Sequence, residues 1–138
     1  MAEITGGCLC GQVRYTITGE PAVSVICHCR DCQHFTGSAF AAGLVFPTSS
    51  VKIQGDIKTF DVVGGSGKTA HRYFCPNCGS GIGGAVDVSP GNMIVVAGSL
   101  DDPNAFVPKL ELYCDSAQPW VHAESERQRL PTGRHGKG

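Results

Sequence analysis

Eight cysteines in a chain of 138 residues set the first limit on what it folds into. Such a count reads either as a disulfide framework for a small secreted domain or as thiolate ligands in a reducing compartment. A disulfide scaffold substitutes for a core that a short chain cannot build. This chain has 41% hydrophobic residues and the length of one ordinary domain, so it can bury a core of its own. Its start (MAEITGG) has neither the basic nor the apolar segment of a secretory signal. The expected compartment is the cytoplasm, and the cysteines are expected to bind metal.

Their spacing supports this. Seven of the eight fall into three groups: Cys8-x-Cys10, Cys27-x-Cys29-x-x-Cys32 and Cys75-x-x-Cys78. In Cys75-Pro76-Asn77-Cys78-Gly79 the proline sets φ after the first thiol and the glycine admits a left-handed turn after the second. Backbone N–H groups can then point at the sulfurs, as in a zinc knuckle. A knuckle supplies two thiolates and needs two more. Either Cys-x-Cys pair serves, because residues i and i+2 of a strand share one face. Tetrahedral Zn²⁺ takes four ligands in a structural site and three plus an open position in a catalytic one. Seven thiols divide as four plus three, and the triplet is the natural incomplete site. Cys8, Cys10, Cys75 and Cys78 are then expected to hold a structural zinc. Cys27, Cys29 and Cys32 are expected to hold a second one and to be the catalytic residues, which makes two Zn²⁺ per chain.

The second site has a closed alternative, in which Cys114, His28, His34 or an acidic residue completes the tetrahedron. In an extended strand His28 points away from its two cysteine neighbours, which makes it a poor co-ligand. His34 is within reach of Cys32. Cys114 reads more readily as a small buried hydrophobe.

Nineteen Gly and eight Pro break the chain into short runs and leave no room for long helices. Val13–Thr18, Ala22–Cys27, Ala39–Phe46, Val51–Gln54, Lys58–Val63, His71–Phe74, Gly81–Val88, Met93–Gly98 and Lys109–Cys114 read as β-strands. Strands this short and this evenly spaced predict an antiparallel all-β domain. One short helix is expected, over Arg30–Phe35. Gly64–Lys68 (GGSGK) reads as a hairpin tip, lacking the spacing and following helix of a phosphate loop. No apolar run reaches the ~18 residues of a membrane span. Eleven Lys+Arg against twelve Asp+Glu give a net charge of -1, which argues against a nucleic-acid binder. From His122 the chain turns polar. The expected organisation is a single zinc-binding domain over 1–121 and a frayed polar tail over 122–138.

Five stretches together resemble the glutathione-dependent formaldehyde-activating (Gfa) family, whose domain type also occurs in a centromere-associated protein. They are Gly6-Gly7-Cys8-Leu9-Cys10-Gly11-Gln12-Val13-Arg14-Tyr15, Cys27-His28-Cys29-Arg30-Asp31-Cys32 through Phe40, Arg72-Tyr73-Phe74-Cys75-Pro76-Asn77-Cys78-Gly79-Ser80, Gly98-Ser99-Leu100-Asp101-Asp102-Pro103, and Pro119-Trp120. Leu110-Glu111-Leu112 stands where many members carry a histidine. The resemblance implies an all-β, Mss4-like (β-tent) fold of short antiparallel strands around zinc–cysteine sites. It implies the same four-plus-three division of the thiols. It further implies a carbon–sulfur lyase reaction, the reversible joining of formaldehyde and glutathione into S-hydroxymethylglutathione. For proton transfer His28, Asp31 and His34 stand nearest the triplet, and Thr36-Gly37-Ser38 can orient an adduct oxygen or merely form a tight turn. Two other classes compete: a non-enzymatic zinc-stabilised interaction module, and a thiol redox sensor. Aromatics at 7% and balanced charge count against the module.

Overall fold

A period of two along Val13, Tyr15 and Ile17, with polar residues between, decides which face of the second strand is buried. The computed structural model of the chain describes residues 3–122 and 127–134. In chain order its elements are β1 (Glu3–Gly7), β2 (Arg14–Thr18), β3 (Val23–Cys27), α1 (Arg30–Thr36), β4 (Ala41–Pro47), β5 (Val51–Gln54) and β6 (Lys58–Val63). They continue with β7 (Thr69–Phe74), β8 (Gly81–Val86), β9 (Asn92–Val96), β10 (Leu110–Leu112) and β11 (Gln128–Arg129). No helix among the described residues is long and apolar enough to cross a membrane.

The strands form two sheets, a small one ordered β1-β2-β5 and a large one ordered β11-β10-β3-β4-β9-β8-β7-β6. Tyr15 and Ile17 of β2 pack on Leu44 and Phe46 of β4, Ile82 of β8, and Met93 and Val95 of β9. These are alternate positions of their strands. The residues between them on β4 and β9, Gly43, Val45, Ile94 and Val96, line a cleft on the opposite face of the large sheet. One face of the sheet makes the core and the other makes the site.

The fold is the expected all-β, Mss4-like one, and the helix forms where the sequence places it, running one residue further to Thr36. Two strands escape the sequence pattern. β1 carries two glycines and looks too weak for a strand. Gly6 faces Tyr15 across the ladder, and a Cβ there would fall within 2.3 Å of the tyrosine hydroxyl, so the missing side chain makes room for the aromatic ring. β11 is two residues long. Strand direction also departs from a purely antiparallel sheet, since β10 runs parallel to both β3 and β11. The chain between β9 and β10 is long enough to cross over before pairing again, which a hairpin is not.

The polar tail is the larger departure. Part of it, 123–126 and 135–138, lies outside the described residues, but 127–134 is not frayed. Leu130 N–H donates to Glu111 C=O at 2.9 Å, Tyr113 N–H to Thr132 C=O at 3.1 Å and Cys114 N–H to Leu130 C=O at 3.0 Å. Arg127 and Arg129 reach Glu111. Backbone pairing and a buried charge hold a segment whose composition alone reads as solvated.

Candidate functional site

Cys8 and Cys10 lie on the turn after β1, and Cys75 and Cys78 lie on the turn after β7. The fold brings these two turns together. Cys8 Sγ is 3.6 Å from Cys10 Sγ, and Cys10 Sγ is 3.8 Å from Cys75 Sγ. A tetrahedron with ~2.3 Å metal–sulfur bonds has edges of ~3.8 Å, so the donor spacing fits a four-thiolate zinc site. The amides agree with this: Val13 N–H donates to Cys8 Sγ at 3.2 Å, and Asn77 and Cys78 N–H to Cys75 Sγ at 3.4 and 3.5 Å. Gly79 sits at φ 76 and closes the knuckle turn, as its left-handed backbone requires. The Ser80 hydroxyl, 3.2 Å from Cys78 Sγ, together with backbone amides, draws the Cys78 thiol down to about 5. Cys8 and Cys75 are part of the hydrophobic core itself.

The second group stands where β3 ends and α1 begins. Cys29 is the N-cap of α1, and its sulfur accepts from Cys32 N–H at 3.3 Å. Cys27, Cys29 and Cys32 place their sulfurs within 4.8 Å of one another, and all three line the cleft of about 390 Å³. Hydrogen bonds from Cys27 and Cys32 pull the Cys29 thiol far down, and the same bond to Cys29 drives Cys27 up. Arg72, reaching over from β7, donates to Cys32 Sγ at 3.6 Å while its guanidinium lies 5.4 Å from the centre of the Phe35 ring. The thiolate of the triplet is thus favoured on Cys29, while Cys27 and Cys32 are pushed up, and the Arg72 cation lies beside Cys32.

Among the described residues no fourth Cys, His, Asp or Glu joins the triplet. Cys114 instead groups with His28 and Glu111. His28 points to the other face of β3, as the strand period requires, and is buried with its Nε2–H donating to Glu111 Oε1 at 2.7 Å. Its ring also stacks edge-on against Phe40, 5.6 Å away. His34 is exposed and lines a separate groove with Phe60 and Phe74. Asp31 lines the cleft. Thr36, Gly37 and Ser38 do not: the Thr36 hydroxyl shares its one proton between Cys32 C=O at 3.0 Å and Phe40 C=O at 3.1 Å, so the segment is the turn that ends α1.

Three cleft residues were invisible to spacing arguments: Arg72, Lys68 at the β6–β7 hairpin tip, and Tyr113 after β10. Among the described residues Tyr113 is the only non-glycine at positive φ, with φ 54 and ψ 43. That left-handed backbone costs a tyrosine on the order of 1 kcal/mol. The cost is met by the hydrogen bonds its neighbours make to 130–132.

Fold and site together define an all-β domain of the Mss4-like type, built around cysteine clusters with the spacing to hold metal. Residues 3–116 match the family described as glutathione-dependent formaldehyde-activating enzyme, and the chain belongs to that family. The crystal structure of a Rhodobacter sphaeroides protein shares the fold with TM-score 0.58 and 22% identity, over 72% of this chain and 92% of that one. No curated protein matches.

Proposed function

We propose that this protein is a zinc-dependent carbon–sulfur lyase acting on thiol–aldehyde adducts of the S-hydroxymethylglutathione type. Its partners are then a small thiol such as glutathione and an aldehyde, and its compartment the reducing cytoplasm, which suits eight free thiols. In this reading Cys8, Cys10, Cys75 and Cys78 hold a structural Zn²⁺ and Cys27, Cys29 and Cys32 a catalytic one, in a domain over 1–121 onto which 127–134 docks. The observation that carries the proposal is the triplet itself: three thiols with no fourth protein donor among the described residues, opening into a cleft of about 390 Å³.

A zinc ion held by Cys27, Cys29 and Cys32 would supply an open fourth position that favours a substrate thiol in its thiolate form. The chain does the rest. Arg72 adds positive charge beside Cys32, and Val45, Ile94 and Val96 line the cleft with apolar surface that limits water. In the joining direction the thiolate sulfur forms a bond to the aldehyde carbon and the carbonyl oxygen takes up the proton the thiol lost. No oxidant or reductant is consumed. Of the three residues named for proton transfer, Asp31 is the one that lines the cleft.

The test is exchange of ¹³C-formaldehyde with its glutathione adduct, followed by NMR. The parent should accelerate exchange, Cys29→Ser should abolish the acceleration and halve a zinc content of about two per chain, and Cys114→Ser should leave both intact. Equal loss in Cys114→Ser and Cys29→Ser would mean a closed site. A parent that leaves exchange at the solution rate would favour the interaction-module reading.

A further inference from the structure

Two glycines mark a close approach at the cleft mouth. A Cβ on Gly65, in the β6–β7 hairpin tip, would fall 2.8 Å from the Tyr113 hydroxyl oxygen, and one on Gly133 would fall 3.0 Å from the same atom. The tyrosine hydroxyl therefore sits where the hairpin tip meets the C-terminal segment. Each of these two segments also contributes one cation to the cleft lining, Lys68 from the hairpin and Arg134 next to Gly133. Among the described residues neither takes part in an ion pair.

The other two cations of the cleft are already engaged. Arg72 donates to Cys32 Sγ at 3.6 Å, and Arg30 donates to Gln33 Oε1. Asp31 is the single acidic residue in the lining. A chain with a net charge of -1 thus gathers four of its eleven Lys+Arg in one cleft against one carboxylate. Local excess of this kind, inside low-dielectric walls, draws an anionic ligand.

We propose that Lys68, Tyr113 and Arg134 form an anion subsite at the cleft mouth, which takes a carboxylate of the thiol substrate. The proposal rests on the reading of Cys27, Cys29 and Cys32 as the thiol site and adds what the substrate must carry besides its sulfur. An ammonium, a guanidinium and a phenol all donate hydrogen bonds, and the guanidinium fork matches the two oxygens of a carboxylate. Distance fits as well. Leu112 pairs with Cys27 across β10 and β3, so the next residue, Tyr113, starts beside the thiols and carries its hydroxyl one side-chain length away. A small molecule with a thiol and a carboxylate bridges that span, whereas a neutral thiol engages only the sulfur end. Arg134 lies beyond the matched residues 3–116, so the subsite is built partly from sequence outside the family region.

Calorimetric titration of the full-length, zinc-loaded protein tests this with three probes: glutathione, its dimethyl ester, and S-methylglutathione. The parent should bind glutathione about tenfold or more tightly than the ester, the combined effect of two charge-assisted contacts at a partly solvated site. The double variant Lys68→Gln/Arg134→Gln should erase that preference and leave ester affinity and zinc content unchanged. Tyr113→Phe should lose part of it. A parent without the preference, or a double variant that keeps it, overturns the subsite. S-methylglutathione separates the two readings, because it keeps the carboxylates and lacks the free thiol. If the parent binds it as tightly as glutathione, the thiol site is refuted, while loss of its binding in the double variant still upholds the subsite. Binding of none of the three overturns both.

Discussion

A carboxylate only 2% exposed persists at Glu111 because three cations or donors surround it: His28 Nε2–H at 2.7 Å, Arg127 Nε at 2.9 Å and Arg129 Nε at 3.7 Å. Burial by itself raises the Glu111 pKa, but the bonds from His28 and Arg127 outweigh it and hold the group below its ordinary value. Glu111→Ala leaves the buried His28 ring without its partner and releases both arginines. The expected loss is about 3 kcal/mol, read as a lower urea midpoint, and a midpoint equal to the parent's would mean that solvent replaces the carboxylate without cost. Asp101 makes the opposite kind of site, exposed but tightly bonded. The Arg14 guanidinium and the Thr5 hydroxyl, at 2.7 Å, hold its carboxyl from 3.8 down to about 2. A depressed folded-state pKa contributes stability above the unfolded value and loses it as pH falls through the folded one. The stability gap between parent and Asp101→Asn should therefore be flat above pH 3.8 and close towards pH 2. A gap that persists at pH 2 would show that the charge of Asp101 is not what ties β1 and β2 to the turn after β9.

Element by element, the two cysteine groups differ in what their turns support. Cys75 is fully buried within the core, on a knuckle that joins the β7–β8 turn to the N-terminal hairpin. Cys75→Ser is expected to leave the protein insoluble or unfolded. Cys29 caps a short helix on the rim of the cleft, and serine is itself a good N-cap, so Cys29→Ser keeps the Cys32 N–H satisfied. Its thermal midpoint should stay close to the parent's while zinc falls by one. Comparable collapse of both variants would deny the division into a structural and a reactive site. The C-terminal segment is an element in the same sense. Truncation after Val121 removes the β11 pairing and both Glu111 arginines, and should lower the midpoint by several degrees in a thermal melt. A melt that does not move would restore the reading of 122–138 as a dispensable tail.

For the whole molecule, the expected consequence is that metal leaves in two stages. The knuckle turns tie together strands far apart in the chain, and a structural zinc held there would carry folding free energy on the order of 10 kcal/mol. The cleft site hangs on one strand end and one short helix, outside the core. Graded chelation should release a first equivalent of zinc with the far-UV spectrum unchanged and a second with unfolding. Simultaneous release and unfolding would mean that both ions hold the fold. The exposed Phe60 and Val63 on the edge strand β6 offer the interaction-module reading its best surface, and Phe60 shares a groove with Phe74 and with Gly79 of the cysteine knuckle.

What could be read without a structure was what depends on short-range chemistry. Alternation along the strand runs, the break at each Gly or Pro, and the intervals between thiols act over a few residues. Nine strands, one helix and the grouping of Cys27, Cys29 and Cys32 were legible for that reason, as was the turn of His28 to the face opposite its two cysteine neighbours. Spacing alone left Cys8/Cys10 and Cys27/Cys29 equally able to complete the knuckle, because the choice depends on which turns meet in space. Tertiary structure decided that, and it decided four further things: the parallel seat of β10, the docking of 127–134, the burial of Glu111 among arginines, and the close approach of Gly65 and Gly133 to the Tyr113 hydroxyl in the cleft lining. Each joins residues distant in sequence through backbone pairing, charge compensation or close packing, and none of these leaves a periodic mark along the chain.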